Sequence, residues 1–124
     1  MKLGQLGAFC CALGVACGAF GSHGLEDKVG PDQLEWWHTA TTYLWYHALA
    51  ILALGAYRNR LVAVDRTVYT LIAPGIFLFS GGLYLYVFTG FRTFGMIIPV
   101  GGVLLLIGWV RMGALIHKSA NKFE

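Results

Sequence analysis

The chain has 124 residues, of which 57% are hydrophobic and only 12% are charged, and its mean hydropathy is +0.65. Soluble domains usually carry about 25% charged residues, so this composition excludes a soluble globular protein and predicts an integral membrane protein. The net charge of +3 comes from basic residues that flank apolar segments, which favours lipid headgroups over nucleic acid as the partner.

Four apolar segments follow one another along the chain, and each is close to the roughly 20 residues that a helix needs to cross the hydrocarbon. The predicted helices cover about residues 3–21, 33–57, 68–90 and 94–116, within one membrane domain of residues 1–124. The sequence therefore predicts an all-α integral membrane bundle of four transmembrane helices.

The first predicted helix is rich in regularly spaced glycine. Gly7, Gly14 and Gly21 recur every seven residues, and Gly14 and Gly18 form a small-xxx-small step. Small residues let membrane helices approach closely, and we expect packing within one subunit rather than a dimer seam. The glycines assigned to helix packing are Gly7, Gly14, Gly18, Gly21, Gly81, Gly101 and Gly102.

A polar stretch, residues 22–36, separates the first two helices and is predicted to form an outward-facing hairpin. The Gly-Pro pair at residues 30–31 should break the chain there. Asp32 and Glu35 then have the spacing of a capping box, which predicts the start of the second helix.

Features inside the later segments affect helix geometry. Trp36 and Trp37 fit an interfacial aromatic belt at the outer end of the second helix. Pro74 should kink or loosen the third helix, and Pro99 should interrupt the fourth only softly.

Lysine and arginine are distributed unequally between the two ends of the predicted bundle. Four predicted helices bring both termini to the same end of the bundle. The basic residues at that end are Lys2, Arg58, Arg60, Arg66, Arg111, Lys118 and Lys122. The other side has only Lys28 and Arg92. By the positive-inside rule, we expect both termini to be cytoplasmic.

Four blocks occur in order along nearly the whole chain. They are Gly18-Ala19-Phe20-Gly21-Ser22-His23-Gly24-Leu25, Thr39-Ala40 with Tyr43 and His47-Ala48-Leu49, Phe79-Ser80-Gly81-Gly82-Leu83-Tyr84, and Pro99-Val100-Gly101-Gly102 with Gly108-Trp109. This pattern resembles the domain-of-unknown-function family 423, which includes small bacterial inner-membrane proteins and animal transmembrane protein 256. The resemblance implies a four-helix, multi-pass protein of the bacterial inner membrane, and it implies no established reaction.

A polar stripe runs along the second predicted helix, where Thr39, Tyr43 and His47 are spaced by four. The predicted helix bounds place His47 at the depth of Ser80, and Tyr43 at the depth of Tyr84. If these faces meet, they form a ladder of polar pairs. An ionisable residue within a span suggests a functional site. The alternative is a neutral histidine that bonds a hydroxyl or carbonyl and fixes helix rotation.

A second candidate site lies at the outer surface, where His23, Glu26, Asp27 and His38 could gather around a metal ion or haem. The signal is weak, because neither histidine has a second histidine at ligand spacing on its own helix. We therefore assign no metal.

No catalytic constellation is readable in the sequence, and we predict that the protein is not an enzyme. The leading hypothesis is an accessory or assembly subunit of a larger membrane complex, or a homo-oligomer, with membrane lipids as its other partners. One alternative is oligomeric transport of a small solute or ion along the His47 stripe. Another is a quinone or haem held between aromatic side chains and a histidine. We expect no cofactor, and lipid is the expected bound molecule.

Overall fold

The structure of the protein is a computed structural model, which describes residues 1–57 and 60–122. Within these ranges the chain forms long helices and no strand. The four helices are α1 (Leu3–Leu25), α2 (Pro31–Ala56), α3 (Val62–Thr89) and α4 (Arg92–Lys122). The predicted all-α bundle is confirmed.

Three of these helices, α1, α3 and α4, are long and apolar enough to cross a membrane. Helix α2 is not among them, because tryptophan, tyrosine, threonine and histidine side chains lower its hydropathy. It nevertheless has a fully buried stripe at Ala40, Ala48 and Ile51. Other helices therefore cover much of α2, which permits a more polar composition, and its membrane crossing stays a prediction.

The connection between α1 and α2 is shorter than the predicted hairpin of residues 22–36. Helix α1 continues past Phe20 through a wide π-helical turn, Gly21–Leu25, in which backbone hydrogen bonds skip one residue more than in an α-helix. Only residues 26–30 connect the two helices.

Helix α2 begins at Pro31, whose missing N–H needs no partner at this position. The Gly30 N–H donates to the side-chain oxygen of Gln33 at 2.6 Å. The predicted capping box of Asp32 and Glu35 is therefore wrong, since the helix starts earlier and Gln33 caps it.

Helix α3 begins at Val62, six residues before the predicted start at Val68. It ends at Thr89, because Gly90 adopts a left-handed conformation with φ of 66°. The Gly90 N–H donates to the Tyr86 carbonyl at 2.9 Å and closes the last turn.

Pro74 loosens α3 as predicted. Its α-helical turn, Ala73–Ile76, is flanked by two π-helical turns, Val68–Ile72 and Phe77–Gly81. Proline has no N–H to donate and crowds the preceding turn, which favours such wide turns nearby.

Helix α4 is longer than the predicted 94–116. It runs for 31 residues, contains Pro99 without a break and includes the polar residues 117–122. At 1.5 Å per residue its length is about 46 Å, which exceeds the hydrocarbon thickness of about 30 Å.

Each helix packs mainly against its neighbour in the sequence, so α2 and α3 occupy the middle of the bundle. The main apolar core includes Leu3, Leu44, Ile51, Val68, Ile72, Leu105 and Met112. A smaller cluster of Leu25, Trp37 and Val87 closes the end that carries the α1–α2 connection.

The spaced glycines of α1 face α2 of the same chain. A β-carbon on Gly7 would lie 2.5 Å from the Leu52 backbone nitrogen. On Gly14 or Gly21 it would lie 2.7 Å from the ring of Trp45 or Trp37, respectively. At these three positions α1 therefore packs against α2 within the chain.

Other assigned glycines differ in how closely the chain approaches them. Gly101 packs against the backbone of Phe79, where a β-carbon would clash. At Gly18 and Gly102 a β-carbon would make only ordinary contacts, at 3.8–3.9 Å. Gly81 has no atom within 4 Å of such a carbon in the described structure, so no other part of the described chain packs closely against it.

The basic end of the bundle brings distant parts of the chain together. The Arg111 Nε donates to Thr67 Oγ1 at 3.0 Å, and the Tyr69 hydroxyl donates to the Met1 carbonyl. The basic residues at this end are Lys2, Arg60, Arg66, Arg111, Lys118 and Lys122. Arg58, which is predicted to lie at the same end, is outside the described residues.

Candidate functional site

His47 lies on the inward side of α2 and is 8% exposed. Its Nδ1 is 2.6 Å from the Tyr43 carbonyl oxygen, one turn earlier in the same helix. A carbonyl can only accept, so Nδ1 carries the proton, and in the neutral ring Nε2 is an acceptor. Nε2 has no hydrogen-bond partner among the described residues.

An open groove of about 450 Å³ lies beside this histidine, between α2 and α4, with Phe79 of α3 at its base. The residues that line it include Tyr43, His47, Phe79, Pro99, Gly102 and Trp109. The Trp109 ring centroid is 5.8 Å from that of His47, and the Phe79 centroid is 4.7 Å from that of Tyr43. The groove thus has largely apolar, aromatic walls around one polar ring.

The predicted pairing of His47 with Ser80 is wrong. The Ser80 hydroxyl is buried and donates to the Ala40 carbonyl at 2.8 Å, seven residues before His47. The early start of α3 at Val62 shifts the antiparallel register of α2 and α3 by about this amount.

Tyr84 does not pair with Tyr43 either. Thr41 Oγ1 donates to the Trp37 carbonyl at 2.9 Å and therefore accepts from the Tyr84 hydroxyl, also at 2.9 Å. The face of α2 that meets α3 contains Thr41. The stripe of Thr39, Tyr43 and His47 is turned aside, and its last two residues line the groove with α4.

The outer-surface candidates are not assembled into a metal site. No group of three histidine, cysteine or acidic side chains is placed to hold a metal ion in residues 1–57 and 60–122. His23, Glu26 and Asp27 are exposed at the end of α1 and in the connection, and His38 lies on α2 beside Gly21.

Trp37 has a role that the sequence analysis missed. Instead of joining an interfacial belt, it is 5% exposed, and its Nε1–H donates to the Cys17 carbonyl at 2.8 Å. Its ring packs at 4.3 Å from Tyr84 and 5.4 Å from Phe20, measured between centroids. Gly21 could have indicated this, because its missing side chain leaves the space that the indole fills.

The sequence also did not indicate the polar contacts that Arg60 makes at the basic end of the bundle. Arg60 forms a salt bridge with Asp65, and its Nη1 donates to the Tyr57 carbonyl at 2.6 Å. The hydrogen bond with Asp65 raises the pKa of the Arg60 guanidinium. One side chain thus caps the last turn of α2 and holds the first turn of α3.

These observations define the class of the protein. It is a small, all-α membrane protein with an apolar exterior, interior hydrogen bonds that join helices, and three helices apolar enough to span a bilayer.

Comparison with known proteins gives the family. The chain matches the family described as "Protein of unknown function (DUF423)" over residues 17–102, and it belongs to that family. It is 42% identical over 116 residues to a UPF0382 membrane protein of Staphylococcus aureus (strain bovine RF122 / ET3-1), covering 94% of this chain and 95% of the relative. It is 40% identical over 107 residues to the UPF0382 membrane protein YwdK of Bacillus subtilis (strain 168), covering 85% and 87%. No solved structure matches the chain significantly.

Proposed function

We propose that the protein is a non-catalytic membrane subunit, which acts as an accessory or assembly subunit of a larger membrane complex or as a homo-oligomer. The hydrogen bonds made by the interior polar groups support this proposal. Trp37, Thr41 and Ser80 each make a hydrogen bond that joins α2 to another helix. These groups hold helices together instead of converging on a reacting atom.

The outer face of α4 is the proposed contact surface. Helix α4 packs mainly on α3, and its other side is broadly apolar and exposed. The residues that are at least half exposed along this helix include Met96, Val100, Val103, Leu106, Ile107 and Val110. Lipid covers this face in the isolated subunit, and a neighbouring subunit covers part of it in the complex.

We place the subunit in the bacterial inner membrane with both termini in the cytoplasm. The six basic residues at one end of the described bundle support this orientation, because Lys and Arg accumulate on the cytoplasmic side. Lipid is the only small molecule that the role requires.

Native mass spectrometry tests the role. The tagged protein, expressed at its natural level, is released from its own membrane in mild detergent and weighed with whatever stays bound. The proposal predicts a larger complex or a closed homo-oligomer. A lone subunit under every mild condition would contradict it.

Two tryptophan variants test the surface. Val110→Trp adds bulk at the outer face of α4, where Val110 is 77% exposed, and should reduce co-release. Val15→Trp adds the same bulk on α1, where Val15 is 60% exposed, and should leave co-release unchanged. Lipid tolerates both substitutions, since both side chains are apolar.

Oligomeric transport of a small solute or ion is a second candidate, supported by His47 at the side of the bundle. The described interior is closed by Ala48, Ile51 and Ile72, which have no exposed surface. A path would therefore run along the groove between copies. Liposome flux above that of empty vesicles, lost in His47→Phe, would support transport, and flux equal to empty vesicles would oppose it.

A further inference from the structure

The groove between α2 and α4 is lined by a hydrogen-bond acceptor that the fold does not use. His47 donates through Nδ1 to the Tyr43 carbonyl, and its Nε2 lacks a partner in the described part of the chain. A structural histidine needs only the first of these bonds to fix its rotation. The second nitrogen, on a ring that lines the groove, is left free to accept a hydrogen bond from a ligand.

We infer that this groove binds a lipophilic aromatic alcohol, a hydroxyl-bearing ring with an apolar tail, whose hydroxyl donates to His47 Nε2. The inference goes beyond the proposed subunit role and does not depend on it. It concerns binding only and requires no chemical change in the ligand.

With α2 crossing the membrane, as the sequence predicts, depth excludes phospholipid headgroups as occupants. His47 lies about 5 Å from the middle of α2, and the hydrocarbon extends about 15 Å to either side of the bilayer centre. Trp109, on the opposite wall, lies near the middle of α4, which is apolar enough to span. A polar group that reaches this level must be small, neutral and attached to a lipophilic body.

The walls favour a flat ring. Tyr43, Phe79 and Trp109 present aromatic surface to the groove, and rings pack well in offset or edge-to-face arrangements. Gly102 leaves open space between them, since a β-carbon there would meet only the Phe79 ring at 3.8 Å. The volume of about 450 Å³ lies within the range of about 300–1,000 Å³ that ligand pockets show.

A hydroxyl fits this site better than a carbonyl or an ether. Neutral Nε2 can only accept a hydrogen bond, and a carbonyl or ether oxygen has no proton to give. Tyr43 and Trp109 also line the groove, and each has a group, O–H or N–H, that can donate to a ligand oxygen. A hydroxyl both donates and accepts, so it satisfies both kinds of neighbour.

The test compares 4-decylphenol with its methyl ether, 4-decylanisole, in nanodiscs of defined lipid that contain the full chain. Equilibrium binding is corrected by empty nanodiscs, so that partition into lipid cancels. The phenol should bind about three- to tenfold more tightly than the ether, as expected for one hydrogen bond. Equal binding, or no saturable binding of either probe, would overturn the inference.

Variants locate the interaction. His47→Phe keeps an aromatic ring against Trp109 and should bring the phenol-to-ether ratio to one, whereas Tyr43→Phe should retain a preference for the phenol. This ratio is insensitive to the folded fraction. An unchanged ratio in His47→Phe would show that the hydroxyl is recognised elsewhere.

Two leucine substitutions on α4 test the location sterically. Gly102→Leu fills the groove and should abolish saturable binding of both probes. Gly113→Leu is the matched control, because a β-carbon on Gly113 would have no atom within 4 Å in the described structure. Binding that survives Gly102→Leu would place the ligand outside this groove.

Discussion

At the scale of single residues, a few hydrogen bonds between helices set how the bundle packs. Thr41 links two groups, since it donates to the Trp37 carbonyl of its own helix and accepts from Tyr84 of α3. Hydrogen bonds between membrane helices contribute about 0.6 kcal/mol on average and up to about 1.7 kcal/mol. The pair is therefore a measurable part of the α2–α3 contact.

A double-mutant cycle measures this pair. Thr41→Val leaves the Tyr84 hydroxyl without its acceptor, and Tyr84→Phe removes the donor. We expect each variant to lower the free energy of unfolding, and the double variant to lower it by less than the sum, with a coupling of about 0.6–1.7 kcal/mol. Unfolding in mixed micelles titrated with sodium dodecyl sulfate gives these values.

The control cycle uses the pair that the sequence alone suggests. Tyr43→Phe and Tyr84→Phe should be additive within about 0.5 kcal/mol, because the two hydroxyls do not meet. Coupling in this cycle, with none between Thr41 and Tyr84, would show that α2 is rotated differently.

At the scale of helices, the glycines of α1 determine how closely α2 can approach. Gly7→Ala places a β-carbon 2.5 Å from the Leu52 backbone nitrogen, and a backbone cannot move aside as a side chain can. We expect it to lower the free energy of unfolding by about 1–3 kcal/mol, the usual effect of overpacking.

Gly18→Ala is the matched substitution on the same helix. Its β-carbon would lie 3.9 Å from the Thr41 methyl group, so the free energy of unfolding should change by less than about 1 kcal/mol, helped by the better helix propensity of alanine. Detergent-induced unfolding of both variants provides the comparison. Equal losses would mean that α1 does not contact α2 through Gly7.

The same helices show why part of the fold was predictable. Glycine spaced every seven residues lies on one face of a helix, and small residues on one face allow another helix to approach closely. The spacing alone therefore indicated a close contact between helices. The start of α3 was misplaced because Asp65 and Arg66 resemble a loop by charge. In the structure α3 instead begins at Val62, and Asp65 in its first turn pairs with Arg60, which lies just before the helix.

The predicted pairing of side chains in the candidate site depended on where α3 begins. An error of six residues at the start of α3 displaces every pairing along α2, so Ser80 met Ala40 and not His47. The groove also needs α4, and the rotation of α4 follows from its packing on Phe79 rather than from its own pattern. The sequence thus indicated that His47 was unusual but not what surrounds it.

At the scale of the whole molecule, orientation and the number of crossings are linked. Three helices meet the requirements for a span, and α2 does not on composition alone. If α2 crosses, four spans place both termini on one side. If it does not, the C-terminus lies on the side opposite to the N-terminus.

Cysteine labelling distinguishes these topologies. In a background of Cys10→Ala, Cys11→Ala and Cys17→Ala, single substitutions Asp27→Cys and Lys122→Cys are treated with a membrane-impermeant maleimide in intact spheroplasts and after lysis. We expect Asp27→Cys to react in intact spheroplasts and Lys122→Cys to react only after lysis.

The turn between α2 and α3 gives the decisive third position. Val62 is 79% exposed, so Val62→Cys should be accessible from whichever side the turn faces. With four spans it reacts only after lysis, like Lys122→Cys, because α2 has returned the chain to the cytoplasm. Reaction of both positions in intact spheroplasts would mean that α2 stays at the outer surface, and the groove beside His47 would then lie outside the hydrocarbon.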